Sequence, residues 1–160
     1  MENYIMKSSL KTREEVVSDL KTLVQLVNDG KEGYQHAADK TESPELKAVF
    51  LKLSGERIVY AAELKAHIAT HGGEAENEDG GILGSLHRGW ITIKEAITGN
   101  DDKALIEAIQ TGEKAAIAKY DEYISDYADH ADHLELLKSQ REGIETALKE
   151  IETLKKAIKV

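Results

Sequence analysis

Two glycines and two arginines stand in the middle of otherwise apolar helical lines, and this constrains the fold more than any other feature. Val16, Leu20, Leu23, Val27, Gly30, Tyr34 and Ala37 recur at a four-three spacing, the seam of a helix that packs in a bundle. A second line reads Leu46, Phe50, Leu53, Arg57, Tyr60, Leu64 and His67, and a third reads Leu105, Ile109, Gly112, Ala116, Tyr120 and Tyr123. The fourth reads Leu134, Leu137, Arg141, Ile144, Leu148, Ile151 and Ile158. A mid-helix glycine costs about 1 kcal/mol against alanine, so on a buried line it marks a place where a neighbouring helix needs room. Gly30 is answered by Arg57, and Gly112 by Arg141, at nearly equal separations. The two halves of the chain therefore repeat in outline.

Local signals bound the helices. Thr12 with Glu15 makes a capping box, so the first helix is predicted from Arg13 to about Asp39. Ser43 as N-cap and Pro44 as first helical residue open a second, which runs to His71 and stops at Gly72 and Gly73. Asn100 or Asp101 caps the third, and a polar turn at 128–132 precedes the fourth. Short turns make each half an antiparallel hairpin. The long 72–101 connection carries an amphipathic stripe of Leu83, Leu86, Trp90, Ile93 and Ile97, read as a short helix over 83–98. Two hairpins joined by one long crossover is the ferritin-like way of building an all-α, antiparallel four-helix bundle.

Composition limits the function. A chain of 160 residues is one domain's worth, here 12–160 after a loose leader at 1–11. The absence of cysteine excludes disulfides, thiolate metal sites and cysteine nucleophiles, and fits a cytoplasmic protein. No stretch has the length of a signal peptide or membrane span, and a net charge of −9 without a basic cluster argues against nucleic acid and anionic lipid as partners. No nucleotide-binding glycine loop, nucleophile elbow or basic face with interleaved aromatics is present, which argues against kinases, hydrolases and nucleic-acid binders. Composition says nothing for or against a homo-oligomer.

Four stretches carry a resemblance: DGKEGY at 29–34, GER at 55–57, GSLHRGW at 84–90 and TGEKA at 111–115. Together, over about 21–154, the chain resembles an uncharacterised bacterial family of ferritin-like four-helix-bundle proteins, a domain of unknown function. The resemblance implies the ferritin-like fold and no particular activity.

Ferritin-like bundles that hold two iron or manganese ions need a glutamate on each of two helices and a Glu-x-x-His on each of the others. Aligning the halves on the glycines and arginines puts the single-glutamate positions at Lys31 and Glu113, and the Glu-x-x-His positions at Glu56 with Val59 and Gln140 with Gly143. Only Glu56 and Glu113 suit a metal, so no cofactor is expected; a degenerate site for iron or manganese on those two glutamates is the alternative. Arg57 and Arg141 are expected to point into the waist near Gly30 and Gly112, neutralised by Glu56, Glu113 or Asp29. Weaker surface candidates for a metal are Glu63, His67 and His71 at i, i+4 and i+8, and His130 with His133 beside Asp129 and Asp132. His87 and Arg88 sit on the helix whose Trp90 and Leu86 are expected to cover the core. The expected function is a non-catalytic structural or stress-associated binding protein with arginine–carboxylate pairs in place of a dinuclear centre.

Overall fold

A computed structural model describes residues 13–70, 101–126 and 131–158. These form four helices and no strand: α1 (Arg13–Lys40), α2 (Pro44–Thr70), α3 (Asp102–Asp126) and α4 (Ala131–Ala157). The leader 1–11, the cap at Thr12, the crossover helix 83–98, His71, His87, Arg88 and His130 lie outside the described residues; His133 lies on α4. None of the described helices is long and apolar enough to cross a membrane.

The helix starts follow the capping chemistry. Ser43 Oγ accepts from the Leu46 amide at 3.2 Å, and Asp101 Oδ1 accepts from the Lys103 amide at 3.0 Å, each satisfying a donor that the first helical turn leaves free. Asp101, not Asn100, is thus the cap of α3. Helix α4 begins at Ala131, so the predicted turn at 128–132 overlaps the helix start.

α1 packs chiefly on α2 and α3 on α4, while α1 also touches α3 and α2 touches α4. Polar contacts register the pairs. Ser54 Oγ donates to the Lys31 carbonyl at 3.1 Å, Lys52 meets Glu150 at 2.9 Å, and Lys155 meets Glu107 at 3.2 Å. One cluster of buried side chains joins Leu20, Leu23 and Val27 to Leu64, Tyr120 and Ile144; a second joins Tyr34 and Ala37 to Phe50, Ile109 and Ile151. Polar residues separate the two clusters at mid-length.

The buried lines on α1 and α3 are those expected, including Gly30 and Gly112. On α2 the line drifts. Leu46, Phe50, Leu53 and Arg57 are followed by Ala61, Leu64 and Ile68, while Tyr60 and His67 are half-buried. A strict four-three repeat averages 3.5 residues per turn, whereas a straight helix turns every 3.6 and moves the seam forward by about one residue over several turns. On α4 the line keeps Leu137 and Ile144, but between them Gln140 is buried and Arg141 lies at the edge of the stripe.

The half-buried Tyr60 lies against Gly143. A Cβ on Gly143 would stand 1.9 Å from the Tyr60 hydroxyl oxygen and 3.0 Å from Cζ. Gly143→Ala is therefore expected to lower stability in urea unfolding even though alanine adds about 1 kcal/mol of helix propensity, and Tyr60→Ala in the same chain should restore that gain. An alanine that stabilises alone would show that the tyrosine is free to leave.

Candidate functional site

The waist of the bundle holds charge. Arg57 on α2 is 1% exposed and Glu113 on α3 is fully buried, and Arg57 Nη2 donates to Glu113 Oε2. The same carboxylate oxygen accepts from the Tyr34 hydroxyl of α1 at 2.5 Å. The Arg57 guanidinium also lies over the Tyr34 ring, with Cζ 5.5 Å from the centroid, so the π-face adds a third favourable contact. Three helices thus meet at one oxygen atom. Arg57 Nη1 and Glu113 Oε1 are buried without a hydrogen-bond partner, so the pair is joined through one nitrogen and one oxygen and not by the parallel fork that arginine prefers.

Electrostatics fix the protonation states. Burial works against the Arg57 charge, but Glu113 outweighs it and holds the guanidinium above its ordinary pKa. Burial, followed by the nearby Glu113 charge, pushes the Tyr34 phenol well above the usual tyrosine range. Tyr34 remains a neutral donor.

A second network, centred on an amide, lies beside the first. Tyr120 donates to Gln140 Oε1 at 2.6 Å, and Gln140 Nε2 donates to Glu63 Oε1 at 3.0 Å and to the Tyr60 carbonyl at 3.2 Å. Gln140 is 1% exposed, and burial raises the Tyr120 phenol above its normal range. This network ties α2, α3 and α4 together at the level where α4 was expected to contribute arginine.

The structure thus brings together Arg57 and Glu113 at the waist and places Arg141 elsewhere. Arg141 is corrected to the surface: Nε donates to Asp121 at 2.5 Å and Nη1 to Glu145 at 3.0 Å. The reason is helical phase, since Gln140 lies nearer the middle of the buried stripe. Glu56 is half-buried; burial pushes its carboxyl up while Lys52 and Arg57 pull it back. Asp29 is buried on α1, Lys31 is half-buried, and Val59 is exposed. Glu63 faces Gln140 and His67 is half-buried, and among the described residues no three His, Asp or Glu side chains form a metal-holding group. A surface groove of about 640 Å³ between Lys103, Gln110, Glu152, Lys155, Lys156 and Ile158 lies at one end of α3 and α4. Sequence reasoning missed Tyr34 and Gln140 as partners in these networks. Tyr34 stood on a buried line and Gln140 at an aligned Glu-x-x-His position, and the signal was the need of a buried hydroxyl or amide for partners.

Residues 15–126, from the first turn of α1 to the end of α3, match the family model described as Domain of unknown function (DUF2383). The chain belongs to this family. Within DUF2383 the matched region contains Tyr34, Arg57 and Glu113, the whole of the charged waist, whereas Gln140 and Arg141 fall beyond it. Comparison with curated proteins finds no match.

Two measurements check this site. Arg57→Leu strands Glu113 and is expected to cost about 3 to 5 kcal/mol. Combining it with Glu113→Gln, which keeps an acceptor for Tyr34, should recover much of that loss. Urea unfolding of the four chains gives the coupling, and additive losses would show that the pair is not energetically linked. The second measurement is alkaline stability. An ordinary tyrosine ionises near pH 10, but Tyr34 and Tyr120 hold their protons in the fold, so the unfolded chain loses protons first. Stability is full below about pH 10 and falls as pH rises toward the folded-state values. Tyr34→Phe should flatten that fall, and tyrosinate absorbance should rise together with unfolding.

Proposed function

We propose that this chain is a ferritin-like bundle in which an arginine–carboxylate pair stands where relatives of that fold place metal, and that it acts as a non-catalytic structural or stress-associated binding protein. Support for the topology comes from the contact pattern. Lys31 with Ser54, Asp121 with Arg141, and Glu107 with Lys155 are the registers of two antiparallel hairpins, and α2 and α3 then lie across the diagonal. Parallel diagonal helices require a crossover the length of the bundle, consistent with a short extra helix over 83–98.

The single observation that carries the reading is Arg57 seated on Glu113. A dinuclear centre needs carboxylates and imidazoles converging from all four helices. Here the inward i, i+3 pairs are Arg57 with Tyr60 and Gln140 with Gly143, one residue along α2 from the Glu56 and Val59 aligned by sequence. Glu113 already binds a fixed cation, and a metal beside it would meet the guanidinium. The donor set does not fit two iron or manganese ions.

Elemental analysis of protein purified without chelators or a metal-affinity tag tests this. Less than one equivalent of iron or manganese per chain is expected. Two equivalents that disappear in a Glu56→Ala, Glu113→Ala chain would overturn the proposal and establish the degenerate metalloprotein in its place.

A further inference from the structure

The groove at one end of α3 and α4 runs against the charge of the chain. The protein carries a net charge of −9, yet three of the six residues lining this space of about 640 Å³ are lysines: Lys103 from the first turn of α3, and Lys155 and Lys156 from the last turn of α4. Gln110 lies two turns along α3 from Lys103, Glu152 lies one turn before Lys156, and Ile158 completes the lining. Lys155 meets Glu107 at 3.2 Å while Arg141 meets Asp121, which sets the start of α3 beside the end of α4. Ile158 is fixed in place. Its amide donates to the carbonyls of Leu154 and Lys155, each at 3.2 Å, and its side chain packs against the cluster that contains Leu105 and Ile151.

These cations are not placed for the benefit of the fold. A positive charge in the first turn of a helix opposes the helix dipole, so Lys103 weakens α3, and sharing a groove with Lys156 adds repulsion between like charges. Glu107 stands one turn on from Lys103, at the spacing of a helical ion pair, but is engaged with Lys155 instead. Among the described residues no carboxylate lies within ion-pair reach of Lys103 or Lys156, and the half-buried Gln110 amide has no hydrogen-bond partner. Two ammonium groups and an amide therefore face one space with their hydrogen-bonding capacity unused by the protein.

We propose that this groove binds a small organic monophosphate that carries hydroxyl groups. Lys103 and Lys156 supply charge for the phosphate, Gln110 supplies an amide donor, and Ile158 offers an apolar wall to the carbon skeleton. Glu152 decides the class. A second anionic group on the ligand would meet its carboxylate, whereas a hydroxyl would donate to it. The volume falls in the range of small-molecule sites, about 300 to 1,000 Å³, and the position on the surface suits a ligand that exchanges rapidly. The site is built from α3 and α4 alone, so it stands whether or not the waist of the bundle holds metal.

Titration of the full-length, nitrogen-15-labelled protein with glycerol 3-phosphate, followed by NMR, tests this. Saturable shifts concentrated at Lys103, Gln110 and 152–158 are expected, at several-fold lower concentration than with inorganic phosphate. Lys103→Gln and Lys156→Gln should each weaken both anions several-fold without lowering the urea midpoint, since both side chains are exposed, while Lys138→Gln, another exposed lysine of α4, should leave binding unchanged. Glu152→Gln should abolish the preference, weakening glycerol 3-phosphate and tightening inorganic phosphate. Shifts that spread over the lysines of all four helices and survive the combined Lys103→Gln, Lys156→Gln substitution would overturn the proposal and leave only a loose ion atmosphere. Inorganic phosphate bound as tightly as glycerol 3-phosphate would also overturn it, as would the absence of any saturable shift at millimolar concentration.

Discussion

A guanidinium that cannot give up its charge lies at the centre of this bundle, and the surrounding residues follow from the need to neutralise it. Glutamate on α3 supplies the opposite charge, tyrosine on α1 supplies a hydrogen bond to the carboxylate and a π-face beneath the arginine, and both residues are closed off from water. Such a pair seldom adds much net stability, because removing two ions from water costs about as much as their attraction returns. Its effect is on specificity. A slip of one residue in the α1–α3 or α2–α3 register would leave a bare charge in an apolar core, so the pair excludes alternative packings that leucine and isoleucine alone would tolerate.

The two halves of the chain are less alike than their glycines and arginines suggest. At the waist the first half presents Arg57 and Tyr34, whereas the second presents Glu113, Gln140 and Tyr120. One side of the interior is a buried ion pair and the other is an amide–phenol network that ends on the Glu63 carboxylate. The amide side is satisfied at both ends of Gln140, while the ion-pair side leaves one guanidinium nitrogen and one carboxylate oxygen without partners. The ionic side is therefore the more expensive part of the interior to maintain.

Much of the architecture was legible in the sequence because capping residues and apolar spacing report local geometry. Ser43 and Pro44 placed the start of α2, and the lines through Leu23 and Ile109 placed the inner faces of α1 and α3. That Arg57 needs a carboxylate was legible for a related reason, since a charge on a seam demands an opposite charge, but spacing left the choice among Glu56, Glu113 and Asp29 open. Arg141 was misplaced because a four-three pattern cannot distinguish neighbouring residues that straddle the same stripe, and a difference of one position separates a core arginine from a surface ion pair with Asp121. The roles of Tyr34 and Gln140 depend on which helix faces which across the bundle, and no local pattern contains that information.

The placement of Arg57 also governs the order of assembly. The α1–α2 hairpin is local in sequence and can collapse early, yet it carries the cation, and the carboxylate that answers it arrives only with α3, beyond a long intervening stretch of chain. A hairpin that closed by itself would have to strip water from an unanswered charge. The arginine must remain hydrated until the second hairpin docks, so the last water leaves the interior in the same event that brings the halves together. Half of this protein is accordingly not a smaller version of the whole, since each hairpin alone carries one member of a buried ion pair without the other.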